Sequence, residues 1–188
     1  MNRRRFISRS LVLGAGLSTP LALTRTAFAA SMPADIVEMN ALSLSRAIEE
    51  SQVSCVEVMQ AYLAHIERYN PVYNAIVGMA EADDLLQQAR NADAEISRGE
   101  YHGWMHGMPH AVKDLQPVAG LRYTSGSPIF ADRIADRDSG MAAKLRAAGA
   151  IFIGKTNPPE FGRGSQSYNP VYGATGSAWN PDLTAGGS

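Results

Sequence analysis

Glycine and proline are spread so unevenly along this chain that they divide it into two kinds of backbone. Fourteen of the 17 glycines lie at or beyond Gly99, and seven of the 10 prolines lie beyond residue 100. Glycine costs extra conformational entropy inside a helix, and proline removes a backbone donor and clashes with the preceding turn. Residues 40–98 can therefore carry long helices. Residues 99–188 belong to strands and loops, with room only for short helices.

Hydrophobic spacing fills in both halves. Ser43 opens a short amphipathic stretch with Leu44, Ala47 and Ile48 on one side. Ser54-Cys55-Val56-Glu57 has the form of a capping box, in which the Ser hydroxyl and the Glu carboxylate satisfy free backbone N–H groups. Val58, Tyr62, His65 and Ile66 continue at helical spacing until Asn70-Pro71, where the helix is expected to stop. Tyr73 to Met79 reads as a strand, and Glu81 to Arg98 as a helix stopped by Gly99. Beyond it, Met108 to Val112 reads as a short strand, Ser139 to Ala148 as a helix closed by Gly149, and Ala150 to Ile153 as an apolar strand. Helices alternating with short buried strands predict an α/β sandwich.

Charge separates off the front of the chain. Residues 1–29 hold five of the 17 basic residues and none of the 18 acidic ones, so the rest of the chain is acidic. Asn2-Arg3-Arg4-Arg5-Phe6-Ile7 contains a twin-arginine pair, Leu11 to Leu23 is weakly apolar, and Ala27-Phe28-Ala29 has the small-x-small form of a cleavage site. Three parts in this order predict a twin-arginine-type signal peptide over 1–29, cleavage after Ala29, use of the twin-arginine export machinery, and a periplasmic or secreted product. No apolar run reaches the ~18 residues of a stable membrane span. A formal net charge of −1 argues against nucleic acid as a partner, and the single cysteine, Cys55, excludes an internal disulfide framework. With 45% hydrophobic residues the remainder, 30–188, can bury a core.

Some motifs carry less than their form suggests. Gly149-Ala150-Ile151-Phe152-Ile153-Gly154-Lys155-Thr156 satisfies the Walker A pattern. Its four central residues favour a buried strand over a phosphate-cradling loop, and Asn157-Pro158-Pro159 denies it the following helix. His102, His106 and His110 recur every fourth residue, but Gly103, Gly107 and Pro109 oppose a helix. No acid or thiol within that run completes a zinc site, so these read as surface or loop histidines. His65 reads as a partly buried packing residue. Cys55, in the first turn of its helix, reads as structural. Gly162-Arg163-Gly164 is at most a weak anion loop.

The chemistry concentrates elsewhere. Gly107-Met108-Pro109-His110-Ala111-Val112-Lys113-Asp114 puts Lys113 at the end of a buried strand. Such a lysine either simply leaves the core or is kept neutral by burial and acts as a base. Gly186-Gly187-Ser188 lets backbone approach closely and offers a hydroxyl, though by itself it could equally be a linker.

Taken in order, these pieces resemble the amidase signature family. The resemblance rests on Gly107-Met108-Pro109, Val112-Lys113-Asp114, Thr124, Gly126-Ser127, Ala148-Gly149-Ala150, Gly154-Lys155-Thr156-Asn157, Glu160-Phe161, Asn169-Pro170, Gly173, Asn180-Pro181 and Gly186-Gly187-Ser188. It implies an α/β/α sandwich with a mixed central sheet, of which this chain supplies the N-terminal part. It also implies amide-bond hydrolysis by a serine–cis-serine–lysine triad, with Lys113 as general base and Ser188 as bridging serine. The substrate would be a small-molecule or peptide amide, with no metal or organic cofactor. The family's nucleophilic serine and oxyanion donors lie beyond Ser188, so residues 1–188 by themselves are expected to be inactive. The alternatives are a protein like the amidase-type subunit of the tRNA-dependent amidotransferase, or a non-catalytic truncated remnant.

Overall fold

The computed structural model describes residues 33–187. The expected signal peptide lies outside them. The order is α1 (Pro33–Glu38), α2 (Ala41–Glu49), α3 (Cys55–Tyr73), β1 (Ile76–Val77), α4 (Ala82–Ser97), β2 (Pro109–Lys113), α5 (Gly140–Ala147), β3 (Ile151–Thr156), β4 (Tyr168–Asn169) and β5 (Gly173–Ala174). Among the described residues no helix is long and apolar enough to cross a membrane.

Local chemistry sets the helix boundaries. α2 starts before Ser43, because Asn40 is its cap and accepts the Ser43 N–H at 2.9 Å. At α3 the capping box forms as expected: Ser54 Oγ accepts the Glu57 N–H at 3.1 Å, and the Glu57 carboxylate accepts the Ser54 N–H at 2.8 Å. Asp93 of α4 completes the cap by accepting the Cys55 N–H at 2.7 Å and the Val56 N–H at 3.2 Å. This ties two helices that sequence patterns treat as independent.

Three expectations change. α3 runs through Pro71 to Tyr73. Proline costs about 3 kcal/mol in a helix interior, but Pro71 sits in the last turn. There Asn70 gathers the Ala75 and Ile76 N–H groups at 2.8 Å each, and left-handed Asn74 closes the helix. The Tyr73–Met79 strand shrinks to Ile76–Val77, because α3 takes its start and Gly78 turns with a φ of 50°. His65 is exposed and packs only its ring against Tyr69, with centroids 4.6 Å apart.

β3 is the central strand of a mixed sheet, antiparallel to β1 and parallel to β2. α5 supplies the crossover between the parallel pair. Ile153 is a bulge: His110 pairs with Phe152 and Ala111 with Gly154. The sheet buries both faces. Ile151 and Ile153 join Met108 against α2, α3 and α4, through Leu44, Ile48, Val58, Met59, Leu85 and Ala89. Phe152 and Val112 join Val118 and Ala142 on the α5 side. That gives an α/β/α layering, as expected. A separate two-stranded ribbon of β4 and β5 follows.

Two glycines are demanded by contact. Gly107 (φ +72°) lies so close to Cys55 that a Cβ would run into Sγ, and Gly149 (φ +92°) lies so close to His106 that its Cβ would stand 2.6 Å from Cα. Gly107 sets the turn before β2 against α3, and Gly149 sets the turn before β3 against that first turn.

Candidate active site

Lys113 is the last residue of β2 and pairs in register with Thr156, the last of β3. It is half-buried. Alternation places it on the sheet face of Ala111, while Val112 and its register partner Lys155 share the other face. Among the described residues Lys113 Nζ has no hydrogen-bond or ion-pair partner.

The residue after it is held on all sides. Asp114 is fully buried, and its N–H extends the strand pairing to Thr156 O at 3.0 Å. Both of its carboxylate oxygens accept the Thr124 N–H at 3.1 Å, and Oδ2 accepts the Thr124 hydroxyl at 2.5 Å. The same hydroxyl accepts the Gly126 N–H at 2.9 Å. One carboxylate thus fixes the 124–126 turn to the end of β2. Burial pushes the Asp114 carboxyl above its ordinary range, against the hydrogen bonds from Thr124 and the charge of Lys155.

The fully buried lysine is Lys155. Its ammonium donates to Gln116 O, and burial lowers its pKa against the pull of Asp114 and Asp138. The extended strand that carries it removes the nucleotide-loop reading: Gly154 is within β3, and Gly149 precedes that strand.

The histidines separate. His110 lies in β2, half-buried and edge-on to Phe152, and burial lowers its pKa. His106 is buried, with 1% of its surface exposed, contrary to the loop-surface reading. Glu95, His102 and His106 place one ligand-type atom each within 4.8 Å of one another. The hydrogen bonds argue against a metal there. His106 Nδ1 accepts the His102 N–H at 3.2 Å, so Nε2 carries the proton and donates to Ala92 O at 3.0 Å. Neither nitrogen of that ring is left to bind an ion. Cys55 is fully buried and burial raises its thiol pKa, which leaves packing as its role.

Ser188 lies outside the described residues. Of the two glycines before it, Gly186 is anchored, its O accepting the Ser167 N–H at 2.8 Å, while Gly187 is exposed and a Cβ there would stand 3.2 Å from Ser165 O. Ser125 and Ser127 sit on the turn clamped by Asp114, Ser125 with a φ of 54° and Ser127 fully buried with its hydroxyl unpaired among the described residues. Asp114, Thr124 and Asp93 have structural parts that sequence reading did not assign. An Asp directly after a candidate strand-end lysine was the one available signal.

The family model described as Amidase matches residues 57–188. This chain belongs to the amidase signature family. It is 36% identical over 145 residues to a glutamyl-tRNA(Gln) amidotransferase subunit of Thermosynechococcus vestitus, covering 77% of this chain and 30% of that protein. It is 35% identical to an indoleacetamide hydrolase of Bradyrhizobium diazoefficiens, covering 80% of this chain and 29% of that one. Among solved structures, a bacterial aryl acylamidase of the amidase signature enzymes superposes with a TM-score of 0.73 at 28% identity, over 80% of this chain and 31% of that one. The chain therefore spans about 30% of the length of the relatives it matches.

Proposed function

We propose that the protein to which this amidase-family chain belongs hydrolyses amide bonds, with Lys113 as general base and Ser188 as the bridging serine. The observation that carries the reading is the placement of Lys113. It ends a parallel core strand, half-buried, beside a turn fixed by a fully buried carboxylate, in a chain whose family match spans 57–188. An alcohol is a weak nucleophile at neutral pH and needs a positioned base. A bridging hydroxyl can accept from the nucleophile and donate to a neutral lysine, and the resulting ammonium can return the proton to the leaving amine. The nucleophilic serine and oxyanion donors would come from the family's segment beyond Ser188. Small-molecule amides are the proposed substrate class, in line with the indoleacetamide hydrolase and the aryl acylamidase among the relatives.

The test uses the full-length enzyme with indole-3-acetamide and 4-nitroacetanilide, following ammonia and 4-nitroaniline. Lys113→Ala should lower turnover by at least ~1000-fold with the unfolding midpoint preserved. Lys113→Arg should be nearly as damaging, because a guanidinium does not give up its proton in proteins. A folded Lys113→Arg enzyme at wild-type rate would end this reading. Likeness to the amidotransferase supports a second reading, in which glutamine is the amide donor. Ammonia release from glutamine in preference to both other amides would favour it.

Export by the twin-arginine route is the accompanying proposal, from Arg3-Arg4, the weakly apolar Leu11–Leu23 and Ala27-Phe28-Ala29. Changing Arg3 and Arg4 together to Lys should hold the precursor in the cytoplasm. Periplasmic accumulation equal to that of the unchanged precursor would remove it.

A further inference from the structure

A buried amide network that the triad chemistry does not use links the end of β3 to Gly186. It starts at Asn157, the residue after Thr156, which is the register partner of Lys113. Asn157 and Asn169 are both buried. Asn169 Nδ2 donates to Asn157 Oδ1 at 2.6 Å and to Pro158 O at 2.8 Å, and its Oδ1 accepts the Val171 and Tyr172 N–H groups at 3.0 and 2.9 Å. Asn157 Nδ2 donates to Gly173 O at 3.0 Å and to Thr175 Oγ1 at 3.1 Å. Both amides have all their N–H groups and their oxygen engaged.

The network reaches the tip through Thr175. Its hydroxyl accepts from Asn157 and donates to Asn74 O at 2.8 Å. Its N–H donates to Ser167 O at 2.9 Å, and its carbonyl accepts the Ala185 N–H at 2.8 Å. Ser167 N–H then holds Gly186 O. A second path joins the other side of the site: Gly126, tied to Thr124 and through it to Asp114, lies so close to Asn169 that a Cβ there would stand 2.9 Å from Asn169 Cγ.

A pair of buried amides is an expensive way to fill space, since each polar group costs free energy unless paired. What it provides is one geometry, because a fully satisfied network disfavours any alternative packing. We propose that Asn157, Asn169 and Thr175 are positioning residues that hold the Gly186-Gly187 tip in one geometry, on which the bridging role proposed for the residue that follows it in sequence depends. The inference rests on reading Lys113 and Ser188 as members of one proton relay. A relay depends on distance: displacement by about 1 Å can cost about 100-fold in rate.

Thr175 gives the cleanest test, because valine matches its shape without the hydroxyl and serine keeps the hydroxyl. The experiment measures kcat and KM of the full-length enzyme for 4-nitroacetanilide, and amide hydrogen exchange at Ser167, Thr175 and Ala185. Thr175→Val should lower kcat by about 30–100-fold with KM within about threefold, and speed exchange at those three amides. Thr175→Ser should stay within about threefold of wild type on both readouts. Asn157→Asp, which keeps the shape but loses both Nδ2 donors, should reproduce the valine result. Wild-type kcat and unchanged exchange in Thr175→Val would overturn the proposal. So would equal loss in the Val and Ser variants with a lowered unfolding midpoint, since that marks a fold-holding role alone. Lys113→Ala is run alongside: wild-type turnover there would sink the base assignment, while the exchange readout still decides whether the network holds the tip.

Discussion

The two halves of the molecule solve the problem of burial by different chemistry. Between α2 and α4 the interior is built from Leu44, Ile48, Val58, Met59, Leu85 and Ala89. Of the buried polar residues among those described, only Ser45 lies in that half; His106, Asp114, Thr124, Ser125, Ser127, Lys155, Asn157, Ser167 and Asn169 all lie beyond Gly99. The helical half satisfies most of its backbone within its own helices, needs side-chain partners such as Asn70 and Asp93 only at their ends, and fills its interior with apolar side chains. The glycine-rich half has long turns whose N–H and C=O groups face inward, and side-chain carboxylates, amides and hydroxyls must meet them. Rigidity in the first half comes from shape, and in the second from hydrogen-bond satisfaction.

This contrast predicts what each half tolerates. The largest effect belongs to the helical half. Leu85 is fully buried on α4, so Leu85→Ala should cost about 3–5 kcal/mol in urea unfolding, whereas Leu85→Met should cost less than about 1.5 kcal/mol because the volume is retained. Next, Thr124→Val keeps the volume and removes the hydroxyl that donates to Asp114 and accepts from Gly126. It should cost about 2 kcal/mol, because a buried carboxylate loses a donor and a backbone N–H loses its acceptor. If Thr124→Val is as mild as Leu85→Met, the distinction between the halves collapses.

The smallest effect is at the surface. Arg146 hydrogen-bonds Asp138 at 2.8 and 3.1 Å and holds its carboxyl below the ordinary range; burial opposes this and the Ala119 N–H adds to it. A carboxyl depressed in the folded state contributes stability that is present above its unfolded pKa and lost as pH falls through the folded value. Asp138→Asn should therefore cost about 0.5–1 kcal/mol at pH 7. That difference should shrink as pH falls below the ordinary Asp range. A pH-independent difference would mean that the carboxylate acts only through its shape.

The same contrast governs how much could be read in advance. Periodicity and capping residues located α3, α4 and α5, because those signals are local: Ser54 with Glu57, Gly99 after α4, Ser139 before α5 and Gly149 after it. They misjudged the end of α3, where Asn70 and Asn74 outweigh Pro71, and the length of β1, whose partner β3 is far away in sequence. Lys113 was legible as a strand-end lysine within a family-like run. The depth of Lys155 and the burial of His106 were not, since both depend on contacts from distant segments.

Sequence alone determined the order of the elements from α2 to β3, the division into a helical and a glycine-rich half and, by resemblance to a family, the residues expected to carry amide chemistry. The first two rest on side-chain type, spacing or backbone freedom within a few residues; the third rests on the family resemblance. Tertiary structure decided which buried polar groups find partners. Asp114 meets Thr124, Asn157 meets Asn169 and Thr175, and Asp93 caps a helix that begins at Cys55. A hydrogen bond is made only when donor and acceptor lie within about 3 Å, and only the folded chain brings these partners that close.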